Sequence, residues 1–312
     1  MTQNAKTALI THDDCLRHET PPGHPEQVAR LTHVLHALES LPLQRVGAPM
    51  ATDDQITALH PQSYIDALTA QLPTEGQAQI DGDTWMSAAS MDAARRGVGA
   101  VLLATDMVLG GQVQNAFCAI RPPGHHAETQ TAMGFCLFGN AALAAQHALD
   151  HHGLSRVAIV DFDVHHGNGT QDLMWNEGRC LTITSQQMPL WPGTGEASET
   201  GAAQNVLNIP LPPASDGATM RAAYDAQVWP RLDAFAPQLI IISAGFDAHK
   251  DDPLAQLEWD TDDYIWLTQN LCDLAAKHAG GKIVSTLEGG YDLNALARAT
   301  HAHVKTLMEA TK

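Results

Sequence analysis

Cations are scarce in this sequence. Its 312 residues carry 17 Lys and Arg against 35 Asp and Glu, a formal charge of −18, whereas binding phosphates needs a surplus of positive charge. The balance argues against nucleic acid as the main partner and favours a cationic one. No stretch reaches eighteen apolar residues, so no segment is suited to span a membrane. Between Met1 and Ala8 there is one Lys and no apolar run, so the three-part plan of a secretory signal is missing. The chain is expected to stay in the cytoplasm. Its five cysteines (Cys15, Cys118, Cys136, Cys180, Cys272) are odd in number and form no C-x-x-C pair, which suits reduced, buried thiols better than disulfides or a thiolate zinc site. Internal repeats, low-complexity tracts and Pro/Ser-rich linkers are also missing, so residues 1–312 read as a single domain. What the sequence does have is histidine, 17 in all, as many as Lys and Arg combined.

Short apolar runs rich in Val and Ile alternate with longer segments of helical period, which implies an α/β fold of βαβ units around a mostly parallel central sheet with helices on both faces. The expected strands are residues 7–11, 116–120, 157–160, 181–184, 206–209, 239–243 and 283–287. Helices are expected at 26–41, 85–109, 140–149, 217–235, 261–278 and 294–308. Polar clusters follow the strands: Arg121-Pro-Pro-Gly-His125-His126, Asp161-Phe-Asp163-Val-His165-His166, Gly245-Phe-Asp247 and Glu288-Gly-Gly-Tyr291. In open parallel sheets the ligand crevice lies outside the carboxyl ends of the strands. Four such clusters therefore describe one site.

Asp163 and His165 are spaced i, i+2 at a strand end, so an extended backbone points both side chains the same way. Asp247, a lone carboxylate after an apolar run, is the best third ligand. Two carboxylates and an imidazole leave a position open for water, as in a catalytic rather than structural zinc site. Taken alone, the same D-x-D-x-H segment also reads as a helix cap followed by turn residues. His125 and His126 are expected to diverge as neighbours in an extended loop, so a general base and general acid suit them better than joint metal ligation. Asp161 and Asn168 are placed to fix their tautomers. His151 and His152, at a helix end before Gly153, read as surface or cap residues. Tyr291, after two glycines, is suited to donate to a developing oxyanion, with a buried packing tyrosine as the plainer reading. Gly134, Phe135 and Trp191 are candidates to wall a narrow apolar channel.

Together these motifs resemble the zinc-dependent histone deacetylase family, which includes acetylpolyamine amidohydrolases and acetoin-utilisation proteins. The similarity runs from Gly23-His-Pro-Glu26 through the clusters above, Gly134-Phe135 and Pro192-Gly-Thr-Gly195, to Glu288-Gly-Gly-Tyr-Asp-Leu293. Asn168 and the Gly-Phe-Asp-Ala context look like the class II branch. The resemblance implies an arginase/deacetylase fold and hydrolysis of an N-acyl amide, with one zinc on Asp163, His165 and Asp247. It further implies His126 as proton acceptor, His125 as its assistant, Tyr291 as carbonyl polariser, and a structural potassium on Asp161, Asp163, His165 and Ser185. Gln187 stands where many relatives have His, and Trp191 where Phe is common.

Two readings from other classes stay open, an arginase-like binuclear manganese hydrolase and a silent acyl-lysine-binding module. Within the deacetylase reading, polyamine-selective relatives use an acidic gatekeeper at the pocket mouth, which one of their branches places seven residues after the third zinc ligand. Here that position is Leu254. Its apolar side chain favours acyl-lysine in peptides or proteins over a small acylated amine.

Overall fold

Val, Ile and Leu dominate the short apolar runs, and runs of this kind suit strands buried on both faces of a parallel sheet. The computed structural model describes residues 6–310; most of the N-terminal segment read above for a secretory signal lies outside the described residues. The strands are β1 (Thr7–Thr11), β2 (Gln44–Gly47), β3 (Gln77–Gln79), β4 (Trp85–Ser87), β5 (Asn115–Cys118), β6 (Val157–Asp161), β7 (Cys180–Gln187), β8 (Val206–Leu211), β9 (Leu239–Ala244) and β10 (Ile283–Leu287). Eight of them form one sheet in the order β2-β1-β5-β10-β9-β6-β7-β8. Every pairing in it is parallel. Helices Ser90–Leu109 and Asn140–Asp150 pack together on one face, and Val28–Ala37, Thr261–His278 and Leu293–Glu309 on the other. The α/β architecture is the one expected, and all five cysteines are buried and unpaired.

Register sets where the site lies. Cys118 is opposite Thr286, Thr286 is opposite Ser243, and Ser243 is opposite Asp161. The carboxyl ends of β5, β10, β9 and β6 therefore finish side by side at one level. These are the four strands that the polar clusters follow.

Several boundaries differ from expectation. Residues 85–109 are not one helix: Trp85–Ser87 is an edge strand, and the Ser87 N–H donates to Ser90 Oγ at 2.7 Å where the helix begins. Residues 217–235 are helical throughout, as expected, but not uniformly α: Gly217–Ala223 and Trp229–Phe235 are joined by a π-helical turn at Tyr224–Val228. Pro230, which has no N–H to give the preceding turn, sits where the second piece starts. The strand expected at 116–120 is Asn115–Cys118, and β2, the β3–β4 hairpin and helices Gln62–Ala70 and Asn168–Met174 were not expected. Among the described residues no helix is long and apolar enough to cross a membrane.

Candidate active site

Asp163 and His165 leave β6 through a bend rather than an extended strand, yet their side chains meet. His165 Nδ1 lies 3.1 Å from Asp163 Oδ1 and 3.2 Å from Asp247 Oδ2. The three side chains are buried, and their ligand atoms all fall within 4.8 Å of one another. Backbone amides hold the outer carboxylate oxygens: Gly289 N–H donates to Asp163 Oδ2 at 2.8 Å, and Val164 N–H to Asp247 Oδ1 at 2.9 Å. Space for this cradle is reserved by glycine. A Cβ on Gly289 would stand 2.2 Å from Asp247 Oδ2 and 2.4 Å from Asp163 Oδ2, and one on Gly245 would stand 2.2 Å from Asp163 Oδ2.

Two buried carboxylates aimed at one imidazole nitrogen are costly without a cation among them. Burial pushes Asp247 up to about 7, aided by Asp163. For His165 burial works downward, but the Asp163 and Asp247 carboxylates outweigh it and carry the ring to about 10. Such mutual demand for positive charge, in a two-carboxylate, one-imidazole donor set, fits a divalent metal.

The adjacent histidines do not diverge as expected. A turn in which the Ala127 N–H donates to Gly124 O at 3.2 Å folds the loop, and the His125 and His126 rings lie 3.9 Å apart between centroids. Each finds a different partner. His125 Nδ1 is 2.9 Å from Asp161 Oδ2, and His126 Nδ1 is 2.8 Å from Asn168 Oδ1. Asn168 gives its amide hydrogens to Glu128 Oε1 at 2.9 Å, so its oxygen is left to accept from His126. His126 Nε2 is thereby freed as a base. Burial lowers the proton affinity of His126 well below the usual value, with further depression from His125 and His165. In His125 the same burial is outweighed by the Asp163 and Asp161 carboxylates, which raise it well above. The two rings are thus pushed in opposite directions, His125 toward the charged form and His126 toward the neutral one.

Tyr291 is nearly buried, 9% exposed, and its loop is tied down on two sides. Its N–H donates to Asp252 Oδ2 at 2.6 Å, and Arg30 donates from Nε to Gly290 O at 2.6 Å with its Cζ 4.8 Å above the phenol ring. Burial, with Asp247 and Asp163 nearby, keeps the phenol protonated against the pull of Arg30. Behind it lies a fully buried network that sequence reasoning assigned no role. Glu26 accepts from Arg30 Nη1 at 2.9 Å and from Arg121 Nε and Nη2 at 2.5 and 2.6 Å. Glu288 accepts from the Gly124 and His125 amides at 2.6 and 3.2 Å and so seats the histidine loop. Charged residues inside the quoted motifs were the available signal, since a buried charge must be paired.

Above these groups opens a cavity of about 180 Å³ lined by Asp83, His126, Gly134, Phe135, His165, Leu190, Trp191, Leu254 and Tyr291. Trp191 stands edge-on to His126 at 4.7 Å, and Phe135 edge-on to Tyr291 at 5.8 Å. Gly134 has φ +55, and a Cβ there would meet the His126 ring at 2.4 Å. Ser185 lies apart from the cavity on β7, one residue beyond the Thr184 that pairs with Asp161, and its hydroxyl is 2.7 Å from that of Tyr224. Gln187 points away, donating to Gln256. Asp83 and Asp252 are further site residues that sequence reasoning missed: Asp83 stands in a segment remote from every quoted motif, and Asp252 lies between Asp247 and Leu254 in a stretch whose fold brings it under the Tyr291 amide.

The family model of the histone deacetylase domain matches residues 24–307. This chain belongs to the histone deacetylase family. It is 37% identical to a histone deacetylase-like amidohydrolase of Pseudomonas aeruginosa, covering 86% of this chain and 73% of that one. Identity to a probable deacetylase of Archaeoglobus fulgidus is 35%, over 92% and 82% of the two chains. The crystal structure of the HDA15 HD domain superposes with a TM-score of 0.92 at 33% identity, covering 98% of this chain and 88% of that one. Membership makes the chain a deacetylase-type amidohydrolase, and the four clusters of this deacetylase-family fold converge as described.

Proposed function

We propose that this deacetylase removes acyl groups from the side-chain amine of acyl-lysine in peptides or proteins. The observation that carries this reading is the narrow cavity, walled by Phe135, Trp191, Leu190 and Leu254 and floored by His126, His165 and Tyr291. An alkyl chain fits between such walls, with its amide at the polar floor. Asp163, His165 and Asp247 are the residues to hold one zinc ion. When bound, zinc supplies Lewis-acid polarisation of the acyl carbonyl and acidification of a water.

The chain's own residues do the rest. His126 Nε2 takes a proton from the attacking water while its Nδ1–H stays on Asn168. His125, charged over Asp161, steadies the negative charge that develops. Tyr291 donates its hydroxyl hydrogen to the forming oxyanion. As the new C–O bond forms and the C–N bond breaks, the proton held by His126 passes to the departing amine, leaving a carboxylate and a free lysine. Asp161 turns its oxygens to His125 and to the Asp163 N–H at 3.0 Å and is not among the three residues whose ligand atoms meet within 4.8 Å, which supports one catalytic metal over a binuclear arginase-like pair. Potassium is proposed beside it on oxygens of Asp161, Asp163, His165 and Ser185. We propose one catalytic domain, residues 1–312, working in the cytoplasm.

A second reading, a small acylated polyamine as substrate, is favoured by Asp83 alone. Its carboxylate lines the cavity, accepting from Gly134 N–H at 3.2 Å and Thr84 Oγ1 at 3.1 Å, where a distal ammonium would find it. Rates on acetyl-lysine peptides, longer acyl-lysines, acetylspermidine and acetylputrescine, with zinc supplied or chelated, decide between them. Higher kcat/KM on acetylpolyamines would overturn the first reading.

A further inference from the structure

The structure brings a second group of metal-ligand side chains together far from the deacetylase cavity. Asp106, His147, His151 and His152 place their ligand atoms all within 4.8 Å of one another. His147 and His151 are spaced i, i+4 at the end of helix Asn140–Asp150, and their rings stack 4.7 Å apart at 9°. His152 follows, and Gly153, with φ +69, turns the chain away. Asp106 comes from the last turn of helix Ser90–Leu109. Its Oδ1 lies 2.7 Å from both His147 Nε2 and His152 Nε2. From sequence alone His151 and His152 read as plain surface residues; folding adds the other two members.

The electrostatics call for a cation. Two helices end at this spot, and both present the partial negative charge of unsatisfied carbonyls. A carboxylate in a helix's last turn is misplaced with respect to that dipole, yet Asp106 is there, and Asp54 lines the same cavity of about 430 Å³, as does Asp150, which Arg179 pairs at 3.0 Å. Imidazole is the charge-neutral donor that lets such a place bind metal, and it suits zinc, copper and nickel. We infer that Asp106, His147, His151 and His152 form a peripheral site for a late first-row divalent cation, separate from the deacetylase centre. Tetrahedral zinc with ligands at about 2.0–2.2 Å needs donor atoms about 3.3 Å apart. The four side chains are half-buried or exposed, which leaves their rings room to adjust to that spacing. The cavity that it faces shares no lining residue with the deacetylase cavity.

The test compares the full chain with His147→Ala/His152→Ala and, as a milder change, His151→Gln. Each is dialysed against zinc and analysed for metal per chain, and each is titrated with cobalt while its visible absorption is followed. Metal taken up by the deacetylase centre is common to all three and cancels in the comparison. The inference expects the unmodified chain to hold one more zinc than the double variant and to show cobalt absorption that the double variant lacks. His151→Gln should bind that extra zinc more weakly, and kcat/KM on an acetyl-lysine peptide should stay within about twofold throughout. Equal zinc content and identical cobalt spectra in the unmodified chain and His151→Gln, or in the unmodified chain and a folded double variant, would overturn it.

Discussion

Arg30 sits over the ring of Tyr291, its guanidinium carbon 4.8 Å from the ring centre, so a helix near the start of the chain positions a side chain near its end. Cation–π contact and the Arg30 bond to Gly290 O fix the ring, while the hydroxyl is left to the cavity. Tyr291→Phe keeps the ring and removes only the donor. Steady-state kinetics should show kcat reduced by about 10²–10³-fold with KM nearly unchanged, the usual cost of one oxyanion donor. A Phe variant within about twofold of the parent would reduce Tyr291 to packing.

Gly289 and Gly245 are equally tight points of the proposed metal cradle, and Gly289 abuts both carboxylates. An alanine Cβ would stand 2.2 Å from Asp247 Oδ2, so one of the two carboxylates must move. Gly289→Ala is expected to lose bound metal and turnover together while its far-UV circular dichroism stays native. Metal analysis beside activity checks this; full metal content in an active variant would refute it.

Glu26 is expected to matter for stability as much as for activity. Glu26→Gln leaves Arg30 and Arg121 buried with less than their full counter-charge, a loss on the order of 3–5 kcal/mol in denaturant unfolding. Burial works to raise the Glu26 carboxyl, but Arg121 and Arg30 outweigh it and hold it well below 4.5. A depressed carboxyl stabilises fully above its unfolded value and loses that contribution as pH falls through its folded value. The parent should therefore hold a stability margin over Glu26→Gln at neutral pH that shrinks only in strong acid. A margin that does not depend on pH between neutrality and strong acid would count against this account.

Leu254 and Asp83 face each other across the substrate question. Leu254→Glu should shift kcat/KM toward acetylspermidine relative to an acetyl-lysine peptide by about tenfold or more, the worth of a charge-assisted contact in a partly dry mouth. Asp83→Asn should shift it the other way if that carboxylate already binds an ammonium. An unchanged ratio in both variants would show that neither residue selects the substrate.

Much of this was legible in the residues. Short Val/Ile runs and their polar tails mark β5, β6, β9 and β10, because strands buried on both faces cannot hide their composition. Asp163 and His165 meet as expected but for a different reason: the backbone bends, and Asp163 Oδ1 accepts the His165 N–H at 2.9 Å across the bend. Edge elements were less visible: Gln44–Gly47 alternates half-buried and exposed residues with little apolar signal. The close approach of His125 to His126 depended on a turn tied to Glu288 on the neighbouring strand, and the Glu26 network reaches to Arg121, 95 positions from Glu26, and from Arg30 to Glu288, 258 positions away. Such long-range polar pairing leaves no local period to read.

Strand β10 is the last of the sheet in chain order but sits between β5 and β9 in space. Asp163 and the histidine loop are held by Gly289 and Glu288, which follow it, and the Phe246 N–H just before Asp247 donates to Gly289 O at 3.0 Å. A chain emerging from the ribosome can pair β6 with β7 and β9 early, yet a gap remains in the middle of its sheet until residues 283–291 arrive. Synthesis therefore withholds the chemistry until its closing stage: a prematurely terminated product should be inert and expose two unpaired inner edges to quality control.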